Sequence, residues 1–441
     1  MKFFLEKLNL KSFDRSYSSD VFFKRPEKYK EIEKFSAESQ NLITMGSNYS
    51  YVPLSFYQES IVLDLKKFNR ILNFDKQKKE ITVEAGIKIF EFLNFILDYN
   101  LWIPQLPGYP YISLGGAVAT NAHGKSCGTH GTIRNSVKKI LLYHKVHGWL
   151  NLSNDENKEI FDLTIGGLGL TGTIVSITFS LEEFNFTSFT TVKKKVFLIQ
   201  DVIKNFTNET TDKNIFIYSW NAMDDLKNFG KGYIFKNIPI NNLKKISKIK
   251  SLKKNNYRFP ICFWNKFTIK IFNKIYLKFL DVEKKEKNDS FVDAIFPFIG
   301  KESYFKLFGS KGFIESQLLV PNNIVESFLE EVKNLCKIHE PLITLFSLKK
   351  LSGEQKLLRF EGNGICVTFD FVNNKKNHLF LVKIDELCVK YNVLPSIIKD
   401  SRLSQSVFEK CYSEVEIFRK KLISFDKKRI YQSELSKRLK I

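Results

Sequence analysis

Residues 101–133 read LWIPQLPGYPYISLGGAVATNAHGKSCGTHGTI, a run dense in glycine and small residues. A large share of the chain's 21 glycines lies between Gly108 and Gly172. Glycine has no Cβ, so backbone rich in it can approach a ligand closely and aim successive N–H groups at an anion. Gly115-Gly116-Ala117 opens a run of small residues and suits a helix start set against a flat or anionic ligand. Two shorter stretches share this character. Met45–Ser55 (MGSNYSYVPLS) is a small polar loop behind the apolar Leu42–Thr44, and Thr164–Ile174 (TIGGLGLTGTI) runs into the strand-like Val175–Leu181. Any one of the three alone reads as a tight turn between packed elements; three in this order are far more specific. No Walker A sequence is present. Gly167-Leu168-Gly169-Leu170-Thr171-Gly172 has the GxGxxG spacing but leads to a strand instead of opening a long helix, which disfavours an ordinary nicotinamide dehydrogenase.

Around these loops short strands and helices alternate. Ser60–Leu65, Ile71–Phe74 and Glu80–Glu84 are β-rich runs separated by turn residues. Within Ala85–Asn100, the residues Ile89, Phe92, Leu93 and Ile96 fall at i, i+3, i+4 and i+7, the spacing of an amphipathic helix. After Phe184 glycine thins out while Phe and Lys increase. Strands are predicted over Gly312–Val320 and Ile365–Phe371, and helices over Asn323–His339 and His378–Tyr391. The fold class is α+β, with an antiparallel sheet carrying helices in the second part. Tyr257–Phe279 mixes aromatics with lysines. It is predicted as a buried helix with a solvated lysine face, in preference to a segment that faces a membrane or covers substrate.

A chain of 441 residues suits two domains, and 43% hydrophobic with 14% aromatic residues is ample for packed cores. The formal charge of +22 points toward an anionic partner. Lysine is spread over the whole chain, however, alongside abundant Phe, Ile and Asn, so the charge reads as compositional bias. No RNA-binding aromatic signature or zinc-finger spacing accompanies it, and nucleic acid is not an expected partner. A basic surface still favours peripheral contact with anionic lipid. Cys127, Cys262, Cys336, Cys366, Cys388 and Cys411 form no CxxC pair, which argues against a disulfide framework or structural zinc. No histidine spacing proposes a metal. The N-terminus is a poor signal peptide, and no window approaches the roughly 18 apolar residues of a spanning helix. The expected location is cytoplasmic, with the inner membrane face as a peripheral alternative.

LWIPQLPG (Leu101–Gly108), LGGAVATNAHGK (Leu114–Lys125) and GGLGLTGTI (Gly166–Ile174) resemble the FAD-linked oxidases of the vanillyl-alcohol-oxidase type, above all their decaprenylphosphoryl-β-D-ribose 2'-oxidase branch. IKDSR (Ile398–Arg402) and SELSKRL (Ser433–Leu439) resemble that family's closing segment. The resemblance implies a PCMH-type FAD-binding domain of two subdomains over 1–183, a substrate domain over 184–394, and a return to the FAD domain over 395–441.

It also implies roles. Gly46, Ser47, Asn48, Tyr49 and Ser50 would surround the pyrophosphate, and Gly108, Ser113, Gly115 and Gly116 would press backbone donors on the cofactor. Ala119, Thr120, Asn121, His123 and Gly124 would run beside the flavin, with Ile174 toward the adenine side. His123 falls on the family's active-site histidine, and Lys399 on a lysine that contacts substrate and flavin. Gln317 matches a substrate-side glutamine, Lys349 or Lys350 a substrate-side lysine, and Cys366 a pocket cysteine. Lys399 would orient the alcohol and take its proton, or stabilise the reduced flavin; both roles stay open.

The chain departs from the family's GxGRSYG loop. Asn48 stands for a glycine, which a residue tolerant of positive φ can do. Tyr49 stands for an arginine, and it also fills the position of the histidine that carries FAD covalently in some relatives, so FAD is expected to be non-covalent. Ser396 stands where a tyrosine precedes the family's lysine. The implied activity is oxidation of the 2'-hydroxyl of a polyprenyl-phosphate-linked pentose to a ketone, with a separate short-chain reductase completing an epimerisation. The alternatives are an aldonolactone or alditol oxidase acting on a soluble sugar, and a flavin-fold subunit without catalysis.

Overall fold

The computed structural model describes residues 6–38, 40–208, 213–242, 245–252 and 257–441. Residues 1–5, the beginning of the N-terminal segment read above as a poor signal peptide, lie outside them. The rest of that segment enters strand β1 (Glu6–Lys11), which pairs antiparallel with β2 (Ser18–Lys24). β3 (Leu42–Met45) and β4 (Ile61–Asp64) complete a four-stranded sheet of order β1-β2-β4-β3, with β4 parallel to both β2 and β3. β4 reads IVLD and is buried throughout, as a central parallel strand covered on both faces should be. It stops where the Asp64 side chain accepts from Lys66 N and turns Leu65–Lys67 into a 3₁₀ helix, one residue before the sequence prediction ends.

β5 (Ile71–Asp75), β6 (Glu80–Glu84), β8 (Val137–His144), β9 (Gly148–Ser153) and β10 (Thr173–Ser180) form an antiparallel sheet of order β5-β6-β10-β8-β9. β7 (Leu101–Trp102) pairs with β11 (Glu182–Glu183). The helix predicted within residues 85–100 is shorter, Ile89–Ile96, and buries Ile89, Phe92, Leu93 and Ile96 as the spacing required. Leu97–Tyr99 tightens to 3₁₀ and Asn100 ends it at φ +57°. The small-residue run becomes helix Leu114–Ala119. Here glycine is compulsory, because a Cβ on Gly115 would lie 2.7 Å from Ala85 Cβ, while Gly115 N donates to Ala85 O at 2.8 Å.

β12 (Ser188–Val196), β13 (Phe216–Asn221), β14 (Gly232–Ile240), β15 (Glu286–Ser290), β16 (Phe313–Pro321), β17 (Ile343–Leu351), β18 (Gly364–Val372) and β19 (Leu394–Pro395) make an antiparallel sheet of order β15-β12-β14-β13-β17-β18-β16-β19. Helices Val325–His339 and Lys375–Tyr391 join its core through Phe328, Leu329, Phe380 and Leu381. The chain end returns to the first sheet: Leu42 N donates to Ile430 O, and Gln432 N to Leu42 O.

The prediction for Tyr257–Phe279 needs correction. A helix spans Lys266–Val282, but only Ile269, Asn273 and Leu280 are buried, while Phe267, Ile271, Ile275 and Phe279 face water. Its apolar residues fall on two sides, and a single neighbouring layer covers one of them. No helix of the described residues is long and apolar enough to cross a membrane.

Candidate active site

The three glycine-rich loops and one face of the eight-stranded sheet enclose a cavity of about 1660 Å³. Ordinary small-molecule pockets measure roughly 300–1,000 Å³, so this one has room for a large cofactor together with a substrate. Gly46, Ser47, Asn48, Tyr49 and Ser50 line it, as do Gly108, Ser113, Gly115 and Gly116. Ala119, Thr120, His123, Gly124 and Ile174 follow along its wall, and Gln317, Lys349 and Lys399 stand across from them on the sheet side.

The loops hold each other. Ser47 N donates to Ser113 Oγ at 3.3 Å, and a Cβ on Gly46 would sit only 2.0 Å from that same oxygen. Asn48 adopts φ +52°, the conformation for which asparagine can replace glycine. Ser50 Oγ is buried without a partner among the described residues. A Cβ on Gly108 would meet nothing within 4 Å, so the backbone there fronts open space. Lys11 and Arg15, from the N-terminal segment, bring positive charge to the same cavity.

The opposite end is polar and densely coupled. Lys349 Nζ donates to His123 Nδ1 at 3.0 Å. An ammonium has no acceptor, so Nδ1 carries the lone pair and the ring proton sits on Nε2. Burial, with the charges of Lys349 and Lys399 added, drives the His123 pKa well below its usual value and keeps the ring neutral. Lys399 Nζ lies 3.1 Å from Glu315 Oε1 and 3.7 Å over the centre of the Tyr51 ring. Gln317 Nε2 donates to Glu315 Oε1 at 2.8 Å, which leaves Gln317 Oε1 without a partner among the described residues. Asp370 is the cross-strand neighbour of Glu315 and accepts from Tyr304 OH at 2.8 Å. Burial, then the Glu315 charge, raises the Asp370 pKa well above the carboxylate range. Lys125 Nζ stands 3.4 Å over the Tyr218 ring, and burial lowers its pKa well below normal.

Three of the residues expected at the site do not reach the cavity wall. Lys350 follows Lys349 on β17 and therefore points to the other face, where its Cβ would lie 3.1 Å from a Cβ on Gly128. Cys366 shares the cavity side with Lys349 and Thr368 but is wholly covered, its Sγ 3.9 Å from Thr368 Oγ1. Asn121 is turned inward, donating to Glu361 Oε2 at 3.2 Å. Conversely, the sequence reading passed over Glu315, Asp370, Tyr51, Tyr304 and Lys125, all on the cavity wall. A signal existed for two of them: period-2 alternation puts Glu315 on the same face as Gln317, and Asp370 interrupts the apolar run ICVTFDF.

Residues 21–144 match the model of an FAD binding domain. Over 91% of this chain and 90% of its counterpart, the sequence is 23% identical to decaprenylphosphoryl-beta-D-ribose oxidase of Mycolicibacterium smegmatis. This chain is an FAD-linked oxidoreductase. The flavoprotein is also 28% identical to L-galactono-1,4-lactone dehydrogenase of Arabidopsis thaliana over 35% of its length, and 33% identical to L-gulonolactone oxidase of Scyliorhinus torazame over 27%. Those two matches span only 26% and 27% of the relatives' own lengths. The cavity fits the cofactor: Ser50 Oγ needs a partner that a phosphate oxygen supplies, and the open backbone at Gly108 admits a flat ring system.

Proposed function

We propose that this flavoprotein oxidises a ring hydroxyl of a sugar to a ketone, and that the sugar is a pentose carried on a polyprenyl phosphate, oxidised at its 2'-hydroxyl. The observation that carries the reading is the Lys399–Glu315–Gln317 cluster on the wall of the cofactor cavity. Alignment with the mycobacterial oxidase over nine tenths of both chains supports the choice of substrate. The lactone enzymes match over about a quarter of their length, which supports the shared cofactor chemistry and little else.

Bound FAD supplies the hydride acceptor. The protein must bind the alcohol and remove its proton. Gln317 Oε1, with its amide nitrogen held by Glu315, accepts a hydrogen bond from the sugar hydroxyl. Glu315 is the carboxylate within reach of that proton, and the Lys399 ammonium keeps it oriented and offsets its charge. His123, neutral and held at Nδ1 by Lys349, presents Nε2–H as a donor and fixes the sugar's orientation. Domains of 1–183 for cofactor and 184–394 for substrate, with 395–441 returning to the first, fit the onset of the eight-stranded sheet at Ser188 and the strand-like docking of Tyr431 on Leu42.

The test is spectroscopic. Purified protein should be yellow, and acid precipitation should leave the colour in the supernatant, as non-covalent FAD requires. Polyprenyl-phosphate ribose should bleach the flavin anaerobically, whereas free aldonolactones should not. A colourless protein that FAD cannot reconstitute, or bleaching by lactones alone, rejects the reading.

A further inference from the structure

The Lys266–Val282 helix carries three stripes. Ile269, Asn273 and Leu280 face the core. Phe267, Ile271, Ile275 and Phe279 succeed one another at i+4 and are 71%, 41%, 62% and 61% exposed. At 100° per residue this second stripe centres on the side facing away from Ile269. Lys266, Lys270, Lys274 and Lys278 run beside it as a third stripe, each one position earlier. The preceding segment adds Tyr257, Phe259, Ile261 and Phe263, all exposed. Single exposed apolar side chains need no explanation, but a contiguous patch of this extent marks an interaction surface.

Charge identifies the partner. Between Tyr257 and Leu280 the sequence holds five Lys or Arg residues and neither Asp nor Glu. Lys266 already meets Glu340 at 2.6 Å, and a second copy would oppose Lys270, Lys274 and Lys278, which have no ion pair among the described residues, with the same lysines. An anionic bilayer takes both features at once, the apolar stripe in the headgroup–acyl boundary and the lysines at the phosphates. The face is also continuous with the cavity, since Phe272, Tyr276, Phe279 and Leu280 of the same helix line it.

We infer that residues 257–282 dock the protein on an anionic lipid surface, with the substrate cavity opening beside the bilayer. The docking rests on the surface itself, and only the delivery of a lipid-linked sugar rests on the function proposed above.

The experiment sediments the FAD-loaded protein with phosphatidylcholine vesicles, with and without about one third phosphatidylglycerol. Flavin colour should pellet with the anionic vesicles, stay in solution with phosphatidylcholine alone, and be partly released by high salt. Phe267→Ser, Ile271→Ser and Ile275→Ser together alter only outward-facing side chains, so the flavin and thermal midpoint should be retained. Vesicle partitioning should fall by about tenfold or more. Should that variant fail to fold, Lys270→Glu with Lys274→Glu should abolish the preference for anionic lipid. Failure of the wild type to sediment, undiminished sedimentation of the variants, or self-association through this face without lipid binding overturns the inference. Flavin bleaching by sugar lipid in detergent micelles is independent of docking, so loss of one result leaves the other standing.

Discussion

Lys399 and Glu315 form a 3.1 Å ion pair on the wall of the cofactor cavity, joining the C-terminal segment to strand β16, one in from the sheet edge. The backbone secures the pair as well: Ser396 N, three residues before the lysine, donates to Gln317 O at 2.8 Å. Tyr51, from the loop Met45–Ser55, fills the space under the ammonium. A tyrosine ring is therefore present at Lys399, although the residue three positions before the lysine is Ser396.

If Glu315 accepts the substrate proton, Glu315→Gln keeps the shape and removes the base. General-base catalysis is worth about 10²–10⁴-fold, and the anaerobic flavin reduction rate should fall by that much with flavin content unchanged. Lys399→Ala should raise KM and lower the rate together, because it leaves a buried carboxylate unpaired. Wild-type reduction rates in Glu315→Gln would move the base elsewhere.

His123 gives the stability a pH dependence. Its folded pKa is depressed by burial and by two lysines, against about 6.5 when unfolded. The neutral ring therefore contributes stability above about pH 6.5 and loses it as pH falls toward the folded value, by up to about 1.4 kcal/mol per pH unit. His123→Gln should flatten that acid limb. Thermal midpoints of the two proteins between pH 7.5 and 5.5 should converge as pH drops; parallel curves would exclude the coupling.

The glycine loops and the amphipathic helix at Ile89 were legible because their signals are local: absence of Cβ, and a period of 3.6. The strands over residues 313–321 and 364–372 were legible by their alternation. The carboxylate pair was not, because Glu315 and Asp370 become neighbours only when β16 and β18 pair. The motif match left Lys349 and Lys350 as alternatives, and strand alternation, which puts Lys349 on the cavity side, chooses between them. The helix at Lys266 misled because its amphipathic pattern fits a helix that buries one apolar stripe and one that displays a second.

Two glycines separate folding from cofactor binding. A Cβ on Gly124 would stand 1.9 Å from Leu106 O, a backbone atom that cannot step aside. Gly124→Ala should destabilise even the apoprotein, by about 1–3 kcal/mol for such overpacking. Gly108→Ala meets no protein atom within 4 Å. It should leave the apoprotein's thermal midpoint unchanged while raising the FAD dissociation constant. Titration of both apoproteins with FAD, beside their melting curves, checks the contrast.

Arg402, three residues past Lys399, is the fixed point of the closing segment. It donates to Asp385 Oδ2 and Oδ1 at 2.5 and 2.9 Å and to Asp400 Oδ2 at 2.8 Å, all three side chains being nearly buried. Removing one member of a buried charge network strands the others without solvent, at a cost of about 3–5 kcal/mol. Arg402→Met should therefore destabilise strongly. Arg402→Lys should recover only part of the loss, since an ammonium cannot reproduce the two parallel bonds to Asp385. Because the loop between Ser396 and Arg402 carries Lys399, the lysine variant should also raise KM in the flavin reduction assay. A fully stable Arg402→Met with unaltered KM would show that the loop is held without Arg402, by its contacts with Gln317, Glu315 and Asp14.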